Sequence, residues 1–319
     1  MGAGGRFEVT PGRLVRHAQF ESRFVESRNI DVWLPPDYDP AGNRTYATVY
    51  LHDGQNLFEP SEAFAGIDWG IDESLDLLLR SGQIRDTIAV GIWNTPNRLL
   101  RYMPKRPFEL IRDSEEADMF ARLNKGESPA SDSYLDFVVT ELKPFIEEEY
   151  RVKPEAESTL IMGASMGALV SLYAVCEYPT VFGGAGCLST SWTVAGDPFV
   201  EYLRERLPRA GTHRFYLDYG QEARIEHYQE LQDRADRVAE SRGYSVSQVK
   251  GFESASDWQV RSFPDHDHSE RSWRERVAIP LKFLLGQTID VGGQRSVVGG
   301  RSSDVGRRKS EVGGRRSGA

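Results

Sequence analysis

Gly163-Ala164-Ser165-Met166-Gly167 fits the pattern G-x-S-x-G. An apolar strand-like run, TLIMG, leads into it, and a run of small and apolar residues, ALVSLYAVCEY, leads out. A strand–turn–helix of this kind strains its central residue and holds the serine hydroxyl at the carboxyl end of a sheet. The helix N-terminus there favours developing negative charge. Small residues must flank the serine to avoid clashes in the turn. Ser165 is therefore the candidate nucleophile, and it needs a base to take its proton. The chain has six histidines, His17, His52, His213, His227, His266 and His268. Where a serine sits on such an elbow the chain order is serine, acid, histidine, which leaves the last four. His213 begins a predicted strand and His227 lies inside a predicted helix. His266 and His268 lie in the loop 264–273, between the last predicted strand and the last predicted helix, where a general base belongs. His268 is the nearer to the helix start.

Attack on a carbonyl also needs two backbone N–H groups aimed at one oxygen. One is expected from Met166, directly after the nucleophile. The other is expected from the loop LHDGQN (51–56), where Gly54 permits close approach of the backbone and Gln55 is the chosen donor. His52 and Asp53 in the same loop are read as shaping it.

The elements that must position these groups alternate between two periods. Residues 23–34 alternate as a half-buried strand, and Pro35-Pro36 stops them. Runs at 46–51, 87–93 and 159–163 are nearly continuous in apolar and β-branched residues, as strands buried on both faces are. Two shorter strands contain 186–188 and 215–217, and a last strand covers 258–263. Helices are predicted at 72–80, 131–149, 168–178, 226–242 and 269–285. Such alternation predicts a mostly parallel sheet covered by helices on both faces, an α/β three-layer sandwich.

The chain of 319 residues has 39 Lys+Arg against 48 Asp+Glu, a formal net charge of −9. Residues 286–319 hold seven Lys/Arg and three Asp/Glu, so the rest carries about −13. An acidic body argues against nucleic-acid partners, since phosphate binding needs clustered cations. No run approaches the ~18 apolar residues of a membrane span. The start of the chain, MGAGGRF, has no apolar core of a secretory signal, so a cytoplasmic location is expected. Cys176 and Cys187 are expected as free thiols. Val291, Val298, Val305 and Val312 recur every seven residues among glycines, arginines and serines. One valine per seven residues gives no coiled-coil seam. The expected division is a catalytic domain over 1–286 and a disordered, Gly/Arg/Ser-rich, mildly basic tail over 287–319.

Several segments together resemble one family of α/β hydrolases. They are VYLHDGQNLF (49–58), IDWGIDESLD (67–76), VGIWNTPNRLLRYMP (90–104), YLDFVVTELKPFIEEEYRV (134–152), LIMGASMGALVSLYAVCEYPTVFGGAGCLSTSW (160–192), FYLDYG (215–220) and HSERSW (268–273). The family is that of the enterochelin esterases, S-formylglutathione hydrolases of the esterase D type, feruloyl esterases and mycolyltransferases. The likeness spans roughly residues 20–285. It implies an α/β-hydrolase fold and acyl transfer through a serine acyl-enzyme, with no metal or organic cofactor. The family's H-x-x-x-x-W pattern also selects His268. The acid is where this chain departs. The family carries Asp or Glu a few residues beyond the glycine equivalent to Gly220, and the position three past it is Ala223. Glu222 is the preferred candidate, with Glu226 and Asp218 left open.

Trp93 and Trp192 follow strands and are candidates for the pocket rim, as is Arg98 for an anionic or phenolic acyl group. Arg101 and Trp69 are weaker candidates of the same kinds. The segment 108–133 is read as a lid or an exposed insertion. The expected activity is hydrolysis of a small-molecule carboxylic ester, possible acyl groups being aryl, catecholate or short. Acyl transfer to another acceptor is the runner-up. A catalytically silent binding domain would explain Ala223 but not the rest. Asp265-His266-Asp267-His268, with His52 and Asp53, could be read as metal ligands, but that reading leaves the elbow unexplained.

Overall fold

The computed structural model describes residues 12–248, 256–286, 288–291 and 294–297. Its strands in chain order are β1 (Arg13–Phe20), β2 (Arg28–Leu34), β3 (Ala47–His52), β4 (Thr87–Ile92), β5 (Thr159–Ala164), β6 (Gly184–Leu188), β7 (Arg214–Tyr219), β8 (Val246–Gln248) and β9 (Trp258–Ser262). Two further strands, β10 (Thr288–Val291) and β11 (Gln294–Val297), form a separate antiparallel pair. The helices are α1 (Ile71–Arg80), α2 (Arg98–Tyr102), α3 (Lys105–Glu109), α4 (Glu115–Leu123), α5 (Ser131–Phe137), α6 (Lys143–Glu149), α7 (Met166–Glu177), α8 (Trp192–Arg206), α9 (Tyr228–Ser241), α10 (Glu270–Arg276) and α11 (Ala278–Leu285).

One nine-stranded sheet runs β1-β2-β4-β3-β5-β6-β7-β9-β8. The β1–β2 and β2–β4 pairs are antiparallel and the remaining six pairs are parallel. Every residue of β3, β4 and β5 is buried, as a sheet covered on both faces requires. Alternate side chains go to opposite layers. Val49, Leu51, Leu160 and Met162 join Leu75 of α1, Trp273 of α10 and Leu281 of α11. Tyr50, Ile161, Cys187 and Leu217 face the larger layer built on α7, α8 and α9. This is the three-layer α/β sandwich expected from the sequence. Cys176 and Cys187 are free, buried thiols. Among the described residues no helix is long and apolar enough to cross a membrane.

The departures from the sequence reading have local causes. β1 escaped it because RLVRHAQF is a largely exposed edge strand without a clean apolar alternation. The strand predicted at 23–34 begins at Arg28. The helix predicted at 131–149 contains a π-helical turn at Val138–Leu142. Pro144 has no N–H for the residue-140 carbonyl, so the ladder must shift there. Pro280 likewise has no donor for the Arg276 carbonyl, and the last helix is divided into α10 and α11. The 108–133 segment contains α4, whose Phe120 packs 4.9 Å from the Phe108 ring. In the segment predicted as a disordered tail, residues 288–291 and 294–297 are paired strands instead. The rest of that segment lies outside the described residues.

Candidate active site

Ser165 lies between the end of β5 and the start of α7 with φ 59° and ψ −121°. An L-residue there is strained, and such strain gathers at functional sites. The flanking glycines have steric reasons. A Cβ on Gly163 would lie 2.7 Å from the Gly167 carbonyl carbon. One on Gly167 would lie 3.3 Å from the Cβ of His52. The elbow is therefore pressed between its own helix and the loop that follows β3. Ser165 Oγ stands 3.0 Å from Ser191 Oγ, just before α8.

The loops after β7 and β9 are joined at the same end of the sheet. Gln221 N–H donates to the His266 carbonyl (2.9 Å), and Phe263 N–H to the Tyr219 carbonyl (2.8 Å). A Cβ on Gly220 would collide with the His266 carbonyl, so only glycine fits at this crossing. The joining brings Glu222 and His268 together. Glu222 Oε1 lies 2.6 Å from His268 Nδ1, and Oε2 accepts the Gly220 N–H at 2.5 Å. Burial pushes the Glu222 carboxyl up, but hydrogen bonds from His268, its own backbone, Ser189 and Gly220 hold it down at about 2. It is a carboxylate at neutral pH. The edge of the His268 ring packs on Trp273, 5.1 Å between centroids, which is the physical content of the five-residue spacing.

The other two acid candidates are elsewhere. Glu226 is exposed and lies beside His227. Asp218 is fully buried in an ion pair with Arg276, 3.1 Å from Nε and from one terminal guanidinium nitrogen, and accepts Ser189 N–H. Arg276 NH2 also donates to Ser189 Oγ (2.8 Å), as does Trp273 Nε1 (3.1 Å). This buried network supports the β6, β7 and α10 ends beneath Glu222 and His268. Sequence reasoning missed Arg276, Ser189 and Ser191. Arg276 did have a signal, since it falls three residues after Trp273 and so on the same helical face. The two imidazoles of the DHDH stretch point to different partners. His266 Nδ1 faces the Arg276 guanidinium at 3.2 Å, an arrangement that opposes a bound cation.

Gln55 and Met166 occupy comparable positions. Met166 opens α7, so its N–H is one of the first four without an intrahelical acceptor. Gln55 is inside the one-turn 3₁₀ segment Gly54–Asn56, ahead of the first N–H that bonds within it. A Cβ on Gly54 would lie 2.7 Å from the Gly91 backbone, so the loop sits directly on β4. His52 is fully buried, with Nδ1 2.8 Å from the Tyr134 hydroxyl. Burial holds its imidazole down at about 3, so the ring is neutral. Asp53 adopts φ 60° and binds Arg98 through both carboxylate oxygens at 2.7 Å.

The three substrate-contact candidates fare differently. Trp192 is fully buried, with Nε1 bonded to Gln232 Oε1 (2.8 Å), so it is a core residue between α8 and α9 rather than pocket rim. As the first residue of α8 it turns inward with the apolar face of that helix. Trp69 is also buried, against Trp273. Trp93 is half-buried, donates Nε1–H to Asp31 (2.7 Å), and lies under the Arg16 guanidinium. Arg98 has its Nε and one terminal nitrogen committed to Asp53 and lies over the Tyr102 ring, so it braces the Gln55 loop. Arg101 is bound to Glu26. Arg98→Met is expected to leave the buried Asp53 carboxylate unpaired and to cost about 3 kcal/mol of stability. Thermal unfolding would read this as a fall in Tm of several degrees.

A cavity of about 340 Å³ adjoins His268 and Ser191, and a second of about 500 Å³ lies beyond Thr193. Neither Trp93, Trp192 nor Arg98 is among the described residues lining them.

The family model described as "Putative esterase" matches residues 22–284. The chain is 27% identical over 198 residues to the uncharacterised YbbA of Bacillus subtilis (strain 168), covering 61% of this chain and 69% of that one. Among solved structures it is similar to a ferulic acid esterase, with TM-score 0.59 and 16% identity over 86% of this chain and 98% of the other. It is also similar to an IroE-like serine hydrolase from Shewanella oneidensis, with TM-score 0.59 and 20% identity over 85% and 78%. At such identities the likeness to solved structures is one of fold.

Proposed function

The chain belongs to this esterase family, and from that premise we propose that it is a serine carboxylester hydrolase acting through an acyl-enzyme on Ser165. The observation that carries the reading is the strained Ser165 at the head of α7, at the same end of the sheet at which Glu222 holds His268 at 2.6 Å. Glu222 accepts the Nδ1 proton, so Nε2 is left unprotonated to act as base. The resting Ser165 hydroxyl rests against Ser191 and turns to the imidazole when substrate enters. Catalytic hydrogen bonds commonly tighten only in the complex. Ser165 Oγ adds to the ester carbonyl as its proton passes to His268. The oxyanion is held by the Gln55 and Met166 amides, aided by the α7 dipole. The alcohol leaves with the proton from His268. Water then repeats the sequence on the acyl-enzyme and frees the acid.

The substrate is a small-molecule ester. The placement of Arg98 and Arg101 against Asp53 and Glu26 weighs against their receiving an anionic acyl group. A fluorophosphonate probe tests the mechanism, read by intact mass and peptide mapping. One adduct per chain on Ser165, slowed strongly in His268→Ala, is the expected result. A folded protein that takes no label would defeat the serine mechanism.

A further inference from the structure

We propose that Ser189 is a positioning residue for the reaction: its hydroxyl, aimed by Arg276 and Trp273, donates to the Glu222 carboxylate and holds it toward His268 Nδ1. The inference rests on the serine-esterase reading and adds to it the group that fixes the acid.

Ser189 directly follows β6 and is fully buried. It holds φ 46°, in the left-handed region that favours glycine. A glycine would sit there with less strain, so the serine side chain occupies this turn at a cost. Its hydroxyl has one proton to give and two lone pairs to fill. Both lone pairs are taken by groups that can only donate, an Arg276 terminal nitrogen at 2.8 Å and Trp273 Nε1 at 3.1 Å. The direction of the proton follows by elimination. Asp218 lies beside it, but each of its carboxylate oxygens already accepts two bonds. One takes the Ser189 N–H and an Arg276 terminal nitrogen, and the other takes Arg276 Nε and the Tyr216 hydroxyl. Among the described residues Glu222 is the acceptor left, and the Ser189 hydroxyl bonds to it. The Glu222 carboxylate is thus pinned by three donors: His268 Nδ1 at 2.6 Å, the Gly220 N–H at 2.5 Å and Ser189. Turning the carboxylate off the imidazole would break at least one of these bonds. The two donors into the Ser189 oxygen polarise its O–H and strengthen the bond it gives. That bond matters most once His268 carries the Ser165 proton. Glu222 must then keep its full charge against the imidazolium without taking the Nδ1 proton. Trp273 serves both partners, since its ring packs on His268 and its N–H aims Ser189.

The test is a double-substitution cycle on an ester the protein cleaves, with active sites counted by the fluorophosphonate. Ser189→Ala is expected to lower kcat and kcat/KM together by about tenfold to a hundredfold and to leave KM within about twofold, because a hydrogen bond to a charged group is lost where the transition state uses it. Ser189→Gly relieves the strain at φ 46° and so separates folding from chemistry. It should lose the same factor. In the Glu222→Gln background Ser189→Ala should cost less than about twofold more, since the hydroxyl acts through that carboxylate. A wild-type kcat in Ser189→Ala, activity that returns in Ser189→Gly, or losses that multiply in the double variant would overturn the inference while labelling at Ser165 still stood. Absence of labelling in the wild type would instead bring down the serine reading and this inference with it.

Discussion

Ser165→Ala is expected to lower kcat on any ester the protein cleaves by about 10⁴- to 10⁶-fold, since removing the nucleophile of a cooperating set costs about as much as removing the set. Fluorophosphonate labelling should vanish with it. The substitution leaves α7 and its dipole in place, so weak binding of the ester should persist. A second variant separates chemistry from fold. Ser165 holds φ 59° and ψ −121°, a region that favours glycine. Ser165→Gly should therefore be as inactive as Ser165→Ala but more stable than it by about 1 kcal/mol, offset in part by the entropy glycine adds to the unfolded chain. Urea unfolding of the two variants measures the difference. Retention of even a hundredth of the wild-type kcat in both would remove Ser165 from the mechanism.

The second large effect belongs to Glu222. Glu222→Gln keeps the shape but presents an amide to His268 Nδ1, 2.6 Å from the present carboxylate. The amide N–H2 donates to Nδ1, which moves the ring proton to Nε2 and leaves no base facing Ser165. A loss of about 10³- to 10⁴-fold in kcat is expected. Glu226→Gln should change kcat by less than about twofold, because Glu226 is exposed and lies beside His227, away from His268. Equal losses in the two variants would reject the assignment. The same carboxylate leaves a mark on stability. Its folded value of about 2 lies below the reference of 4.5. A carboxyl held down in the folded state stabilises fully above about pH 4.5 and loses that contribution as pH falls toward 2. Wild type should thus exceed Glu222→Gln in unfolding free energy at pH 7, and the gap should close by about pH 2.

Much of this was legible in one dimension. The runs at 46–51, 87–93 and 159–163 became β3, β4 and β5 because a strand buried on both faces admits few polar residues. G-x-S-x-G could be read as an elbow because its steric demand is local. Gly163 and Gly167 meet each other, four residues apart. The order serine, acid, histidine is the one known for such an elbow, and it left His268, just before α10, as the candidate base. The paired strands at 288–291 and 294–297 were not legible, and neither was the edge strand β1, whose exposed residues leave little apolar periodicity.

What needed the tertiary structure was the choice among the carboxylates and among the side chains that follow strands. Glu222, Glu226 and Asp218 are carboxylates within nine positions, and sequence offered no difference in charge or reach. The crossing of Gly220 against His266 turns Glu222 to the imidazole, while Arg276, 58 residues on, claims Asp218. Trp93, Trp192 and Arg98 all follow strands, yet partners 62, 40 and 45 residues away in sequence bind Trp93 to Asp31, bury Trp192 against Gln232 and tie Arg98 to Asp53. The sequence alone determined the sheet, the serine elbow and the candidate base, since these depend on periodicity, local sterics and chain order. The acid, the walls of the cavity and the fate of each arginine were decided by which distant charges and hydroxyls folding brings within 3 Å, where a hydrogen bond is made or lost over a few tenths of an ångström.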